Sequence, residues 1–184
     1  YLFLAYKTDN AGLQNPNLKM QKTTNYEVGF KQALSSSSAL TINAFYREMR
    51  DMIQYTRVAF AFPQEYFTYG NIDFGTVKGL SLAYEMRRTK NVSLNANYTM
   101  QFADGSGSSA TSGANIVNAE QPNLRTTLPL DYDQRHNLTA SVDYRYGSGK
   151  NYNGPLFNGK QILANMGVNL VATAGSGTPY SQQK

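Results

Sequence analysis

The chemistry open to this chain is narrow, and its scarcest residues set the limits. His136 is the single histidine and there is no cysteine. Neither a histidine-rich metal site nor a conventional Ser-His-Asp arrangement can be assembled from that set. Thiol catalysis, thiolate metal sites and disulfides are removed together. His136, next to Arg135, reads as a positional residue at a rim. Asp131 and Asp133 flank Tyr132 and, with Asp104, offer three carboxylates to Ca²⁺, but their spacing matches no known calcium loop. Gly105-Ser-Gly107 and Gly147-Ser-Gly149 have the composition of phosphate loops. No helix is expected after either, so the dipole that binds an anion is missing and both read as flexible loops. No catalytic, cofactor-binding or metal-ligating residue is expected.

Two polar and aromatic patterns remain. Asn91-Val-Ser, Asn97-Tyr-Thr and Asn137-Leu-Thr match the glycosylation acceptor, a match that strands with Asn, Ser and Thr on one face produce automatically. Phe60, Phe62, Tyr66, Phe67 and Tyr69 crowd around Pro63. On an exposed loop such aromatics grip a ligand or a partner protein, which makes Phe60, Phe62, Tyr66 and Tyr69 the candidates for substrate contact. The preferred reading is structural: an interfacial girdle, or the ends of long strands rising above a membrane.

The elements that must carry these residues are strands. Val92, Leu94, Ala96, Tyr98, Met100 and Phe102 alternate with Ser93, Asn95, Asn97, Thr99 and Gln101, which is period two over the length of one bilayer crossing. The alternation returns at Leu138 to Tyr146, at Ile162 to Ala172, at Leu80 to Met86 and at Leu40 to Tyr46. Tyr26, Val28 and Phe30 mark one more strand, and Tyr1 to Lys7 the end of another, giving about seven. Connections alternate in length. Ser35 to Ser38 and Arg87 to Asn91 read as short turns, whereas Arg47 to Gly79 and Phe102 to Tyr132 read as long loops. Gly147 to Gly159 is longer than a tight turn and fits this scheme least. Short turns on one side and long loops on the other are the asymmetry of outer-membrane barrels. A soluble β-sandwich also alternates, but its strands run to five or six residues rather than about eleven. Tyr26, Tyr46, Tyr98, Phe102, Tyr144 and Tyr146 gather near strand ends, as girdles do.

Bulk properties agree. Of the 184 residues, 16% are charged and 12% aromatic, a charged share well under the roughly 25% of soluble domains. A mean hydropathy of −0.48 and the lack of a long apolar run exclude a transmembrane helix but not barrel strands, which need only alternate apolar side chains. The net charge of +5 is scattered. Its one cluster, Arg87, Arg88 and Lys90, reads as a solvated turn, and no nucleic-acid partner is expected. The chain starts at Tyr1 without a signal pattern, so a processed or partial chain is expected.

The segment Asn15-Pro-Asn-Leu-Lys-Met-Gln-Lys-Thr-Thr-Asn-Tyr-Glu-Val-Gly-Phe-Lys31 resembles a stretch in the barrels of TonB-dependent transporters, N-P-x-L-x-P-E followed by x-Y-E-x-G, with Met20 and Gln21 in place of the usual Pro and Glu. Tyr69-Gly-Asn71, followed by Gly79-Leu-Ser-Leu82, is similar to the Y-x-N segment and the strand after it, with Ser81 where Glu is usual. Asp131-Tyr-Asp-Gln-Arg-His-Asn-Leu138 resembles the D-x-R-H-x-L opening of a downward strand, and Ser176-Gly-Thr-Pro-Tyr180 the S-G-x-P-Y beyond a late strand. The pieces stand in the family's order over most of the chain, and the loop style is similar to Bacteroidetes members.

The resemblance implies an all-β fold. Residues 1–184 would be part of one antiparallel transmembrane β-barrel of about 22 strands, with the plug domain and the remaining strands outside this chain. It implies a cell outer membrane location, the lipid bilayer and the TonB complex as partners, the latter through the plug, and energised uptake of a siderophore, glycan, peptide or vitamin. Asn95, Asn97, Gln101, Asp143 and Arg145 would face the lumen. Two alternatives are a barrel subunit of a larger outer-membrane assembly, bound to a surface lipoprotein or other partner, and a small passive porin-like barrel.

Overall fold

A computed structural model of the chain describes residues 15–121 and 125–180; the strand expected within Tyr1–Lys7 lies outside them. Seven strands form one sheet: β1 (Lys22–Ala33), β2 (Ser38–Val58), β3 (Tyr66–Thr89), β4 (Val92–Gly105), β5 (Leu128–Pro129), β6 (His136–Arg145) and β7 (Gly167–Gly175). The spatial order is β1-β2-β3-β4-β6-β7, with β5 paired to the end of β4. Every pairing is antiparallel. A short helix, α1 (Ala114–Asn118), and a 3-10 turn at Gly149–Asn151 complete the described elements.

Register fixes what each face carries, because residues directly opposite in antiparallel strands point the same way. One row runs Phe30, Ile42, Leu82, Tyr98, Leu138, Ala174 across six strands. Its neighbour on the other face runs Lys31, Thr41, Ala83, Asn97, Thr139, Thr173. Each row holds one chemistry from edge to edge, so a slip of one residue in any strand would move its whole apolar set to the wrong face. A sheet with two solvated faces would not hold these apolar rows.

The structure departs from these expectations in several places. Residues 47–79 are not a loop: β2 and β3 carry their ladder on to a hairpin closed by residues 59–65. Compensating register shifts between Met49 and Ile53 bend this extension, and Asp51 adopts φ 55. At the other end the first turn spans residues 34–37, the expected length shifted by one, whereas the second is tighter than the sequence implied and spans residues 90–91 only. Arg87 and Arg88 therefore lie in β3, and Arg88 pairs with Asp143 instead of being free in a solvated turn. The last strand begins at Gly167 rather than Ile162, because Asn165 at φ 61 and the Met166 N–H to Leu163 carbonyl bond form a turn there. Asn91 sits in a turn, buried, and exchanges two 2.6 Å hydrogen bonds with Asn153. It lies on no strand face, and this tie anchors the long connection of residues 146–166 at the short-turn end. Tyr26, Tyr46 and Tyr98 lie within their strands rather than at the ends.

The small core sits at the hairpin end. Leu130, 1% exposed, packs with Val77 and Ala103, and Phe45 and Met49 close around them. All four wall residues stand on the otherwise polar face, so the segment between β4 and β6 folds over that face.

Candidate functional site

On the sheet's polar face, β4 contributes Asn95, Asn97 and Gln101, which stand opposite Ser141, Thr139 and Gly79. On β6, Asp143 and Arg145 share the same face, opposite Asn169 and Gly167. The five polar candidates therefore stand on a single surface, in Thr- and Asn-rich rows. Asp143 is held by Arg88, so it lines the wall as half of an ion pair. Lys31 and Glu85 make a second pair on this face, at 3.4 Å.

The aromatic candidates separate. Phe60 and Phe62, 97% and 99% exposed, form the tip of the β2–β3 hairpin. Tyr66 opens β3 opposite Val58, whereas Tyr69 stands opposite Tyr55. Tyr55 stacks on Phe67 at 5.6 Å between centroids and meets Tyr69 edge-on at 5.6 Å. These rings pack on one another along the extension, whereas the two tip phenylalanines stand in solvent. Tyr55 itself lay too far along the sequence from the Pro63 cluster to be drawn into it; only the hairpin register reveals it.

The loop between β4 and β6 is strapped to the extension through Asp73, 3% exposed. Its carboxylate accepts from Gln54 Nε2 and from Ser106 Oγ, both at 2.9 Å. Gln54 Nε2 also reaches Ser112 Oγ, and the Tyr55 N–H donates to the Ala110 carbonyl at 2.7 Å. Arg57 pairs with both Glu65 and Glu120. A Cβ on Gly107 would lie 2.2 Å from Asp73 Oδ2, so only glycine allows this approach. Burial pushes the Tyr132 phenol up, against the Arg47 charge that draws it down.

The sequence motifs meet in pairs. Asn15 Nδ2 donates to the Tyr69 carbonyl at 3.0 Å. The Asn71 amide accepts from the Lys19 N–H and donates to the carbonyls of Lys19 and Asp51. This clamps the chain entering β1 to the bulged part of β2. Farther along, Asp133 Oδ1 accepts from the Ala103 N–H and Oδ2 from Arg135 Nε. Arg135 lies 5.2 Å over the Phe102 ring, and His136 Nδ1 is 2.8 Å from the Tyr98 hydroxyl. Ser176 Oγ accepts from the His136 N–H, and Gln134 Nε2 donates to the Ser176 carbonyl. His136 is thus tied on its ring to β4 and on its backbone to the segment after β7. Asp133 is spent on backbone and Arg135, and no cluster of three metal-ligating groups exists among the described residues.

A family model described as TonB dependent receptor-like, beta-barrel, matches residues 3–177. The chain belongs to that family. The TonB-dependent receptor barrel is an outer-membrane, transport-related fold, and this chain is a part of such a barrel, with seven of its antiparallel strands described here. No curated protein and no solved structure matches the chain. In the receptor barrel the paired motifs stitch separate segments of the chain together.

Proposed function

We propose that this receptor barrel forms the wall of an energised uptake channel for a scarce nutrient, such as a siderophore, glycan, peptide or vitamin. The division of the sheet into two faces of opposite chemistry supports the reading. On the apolar face, β4 from Val92 to Phe102 covers ten residue steps, about 33 Å along the strand and about 25 Å of height at a tilt near 40°, which is the thickness of an outer-membrane apolar band. On the other face, Asn95, Asn97, Gln101, Asp143 and Arg145 hydrate the lumen and contact a plug domain supplied from outside this chain. The TonB complex acts on that plug. From Tyr46 to Val58, β2 rises another twelve residues, about 40 Å along the strand, lifting Phe60 and Phe62 well clear of the bilayer, where they meet incoming ligand or a surface partner.

The test uses the full-length receptor in its own outer membrane, with and without TonB, and a panel of labelled nutrients. Uptake of one of them that stops without TonB, and that falls when Asn95, Asn97 and Gln101 are together changed to Leu, is the expected result. Uptake that persists without TonB would replace this reading with a passive pore.

A further inference from the structure

Charge on the apolar face has a definite order along the strands. From the row of Met86, Leu94, Val142 and Leu170 up to the row of Val28, Ala44, Leu80 and Met100, no Asp, Glu, Lys or Arg points outward. The next row, Tyr26, Tyr46, Lys78, Phe102, brings the first charge, and it is a cation. Beside it, Arg135 lies over the Phe102 ring. Acids come only one row further out, at Glu48 and Asp104, and Glu48 is already taken by Arg50 at 2.6 Å.

The two cations are prepared differently. Lys78 is exposed and has no hydrogen-bond or ion-pair partner among the described residues. Arg135 is held through Nε by the Asp133 carboxylate at 3.3 Å, and no hydrogen bond joins its terminal nitrogens to a protein group among the described residues. An open cleft of about 440 Å³ adjoins Arg135 and His136, bordered by Pro129, Ser176 and Tyr180, and by Asp133, whose carboxylate is engaged by Arg135. Directly beneath stand Leu80, Met100, Tyr98 and Leu138. Cations and an aromatic ring at the upper limit of an apolar wall match a phosphate above acyl chains, since basic side chains at a membrane surface attract anionic headgroups.

We propose that Lys78 and Phe102, with the Arg135 side chain that lies over the Phe102 ring, form a docking site for a phosphate-bearing anionic lipid of the leaflet at the hairpin end of the barrel. The proposal rests on the apolar face meeting lipid. The full-length receptor, and its Lys78→Gln, Lys22→Gln and double Lys78→Gln/Arg135→Gln variants, are reconstituted in vesicles of equal parts phosphate-monoester lipid and zwitterionic lipid. The lipid retained after gentle extraction is counted by native mass spectrometry. A cation at a membrane surface gives roughly a five-fold preference, so Lys78→Gln is expected to lower the anionic selectivity about five-fold and the double variant about 30-fold. Lys22, two rows farther out, is expected to be dispensable. Unchanged selectivity in Lys78→Gln, or an equal loss in Lys22→Gln, overturns the site. Because Lys78 has no protein partner, its single variant decides the matter even if the Arg135 change disturbs folding around Asp133. Insertion into purely zwitterionic vesicles tests the apolar face separately: failure to insert removes that reading, whereas insertion without anionic selectivity removes only the lipid site.

Discussion

Asn71 makes three hydrogen bonds with one side chain, all to backbone groups of two other segments. An alanine there leaves the Lys19 amide and the Asp51 carbonyl to find water, at a cost of about 2 kcal/mol. The expected readout is local: Asn71→Ala speeds protease cleavage within residues 15–21 while the heat-modifiable gel shift of the full-length barrel persists. Gly107 gives a second test. The methyl group of Gly107→Ala would press on Asp73 Oδ2, Ser112 Oγ and Gln54 Nε2, at 2.2, 2.8 and 3.0 Å, and the loop must leave the extension. Hydrogen exchange across residues 106–121 should accelerate at least ten-fold, with β4 and β6 still protected; unchanged exchange would show that the Asp73 strap contributes little.

At the scale of the strand, the two faces make opposite demands. Leu82 stands in the middle apolar row, so Leu82→Arg should cost about 2–4 kcal/mol of folding free energy in vesicles, measured by denaturant titration. Asn97→Arg, one strand over on the opposite face, should cost under about 1 kcal/mol, as lumen positions tolerate charge. Equal costs would mean that the faces are assigned wrongly. The same contrast explains what could be read from the sequence. Where a strand separates lipid from water its residues must alternate, and β4 showed its full apolar set from Val92 to Phe102. Beyond the bilayer both faces are wet and that demand lapses. Arg47 to Val58 and Tyr66 to Thr76 therefore looked like loop, although their backbone pairing continues unbroken apart from the bulge near Asp51. The strap through Asp73 joins residues 19 to 33 positions apart, a separation that leaves no periodic trace. The motif residues Asn15, Asn71, Asp133 and Ser176 could be singled out, but which of them bond to one another could not.

For the whole molecule, the decisive fact is that β1 and β7 end the strand order without pairing with each other. Backbone groups along such edges cannot be left open in hydrocarbon. Residues 1–184 produced alone should therefore fail to give a heat-modifiable monomer in vesicles and should aggregate, while the same residues within the full receptor insert; a stable inserted monomer of this stretch would show that its edges can close on themselves. The stitched motifs also bear on anyone who would build chimeric receptors. The tall β2–β3 hairpin looks like a portable module, since residues 59–65 alone connect its strands. Yet Asn71 and the Tyr69 carbonyl find their partners in Asn15 and Lys19, and Asp73 finds one in Ser106. A graft of residues 47–79 into another barrel would arrive with those partners left behind, so the exchangeable unit is the hairpin together with residues 15–21 and the loop after β4.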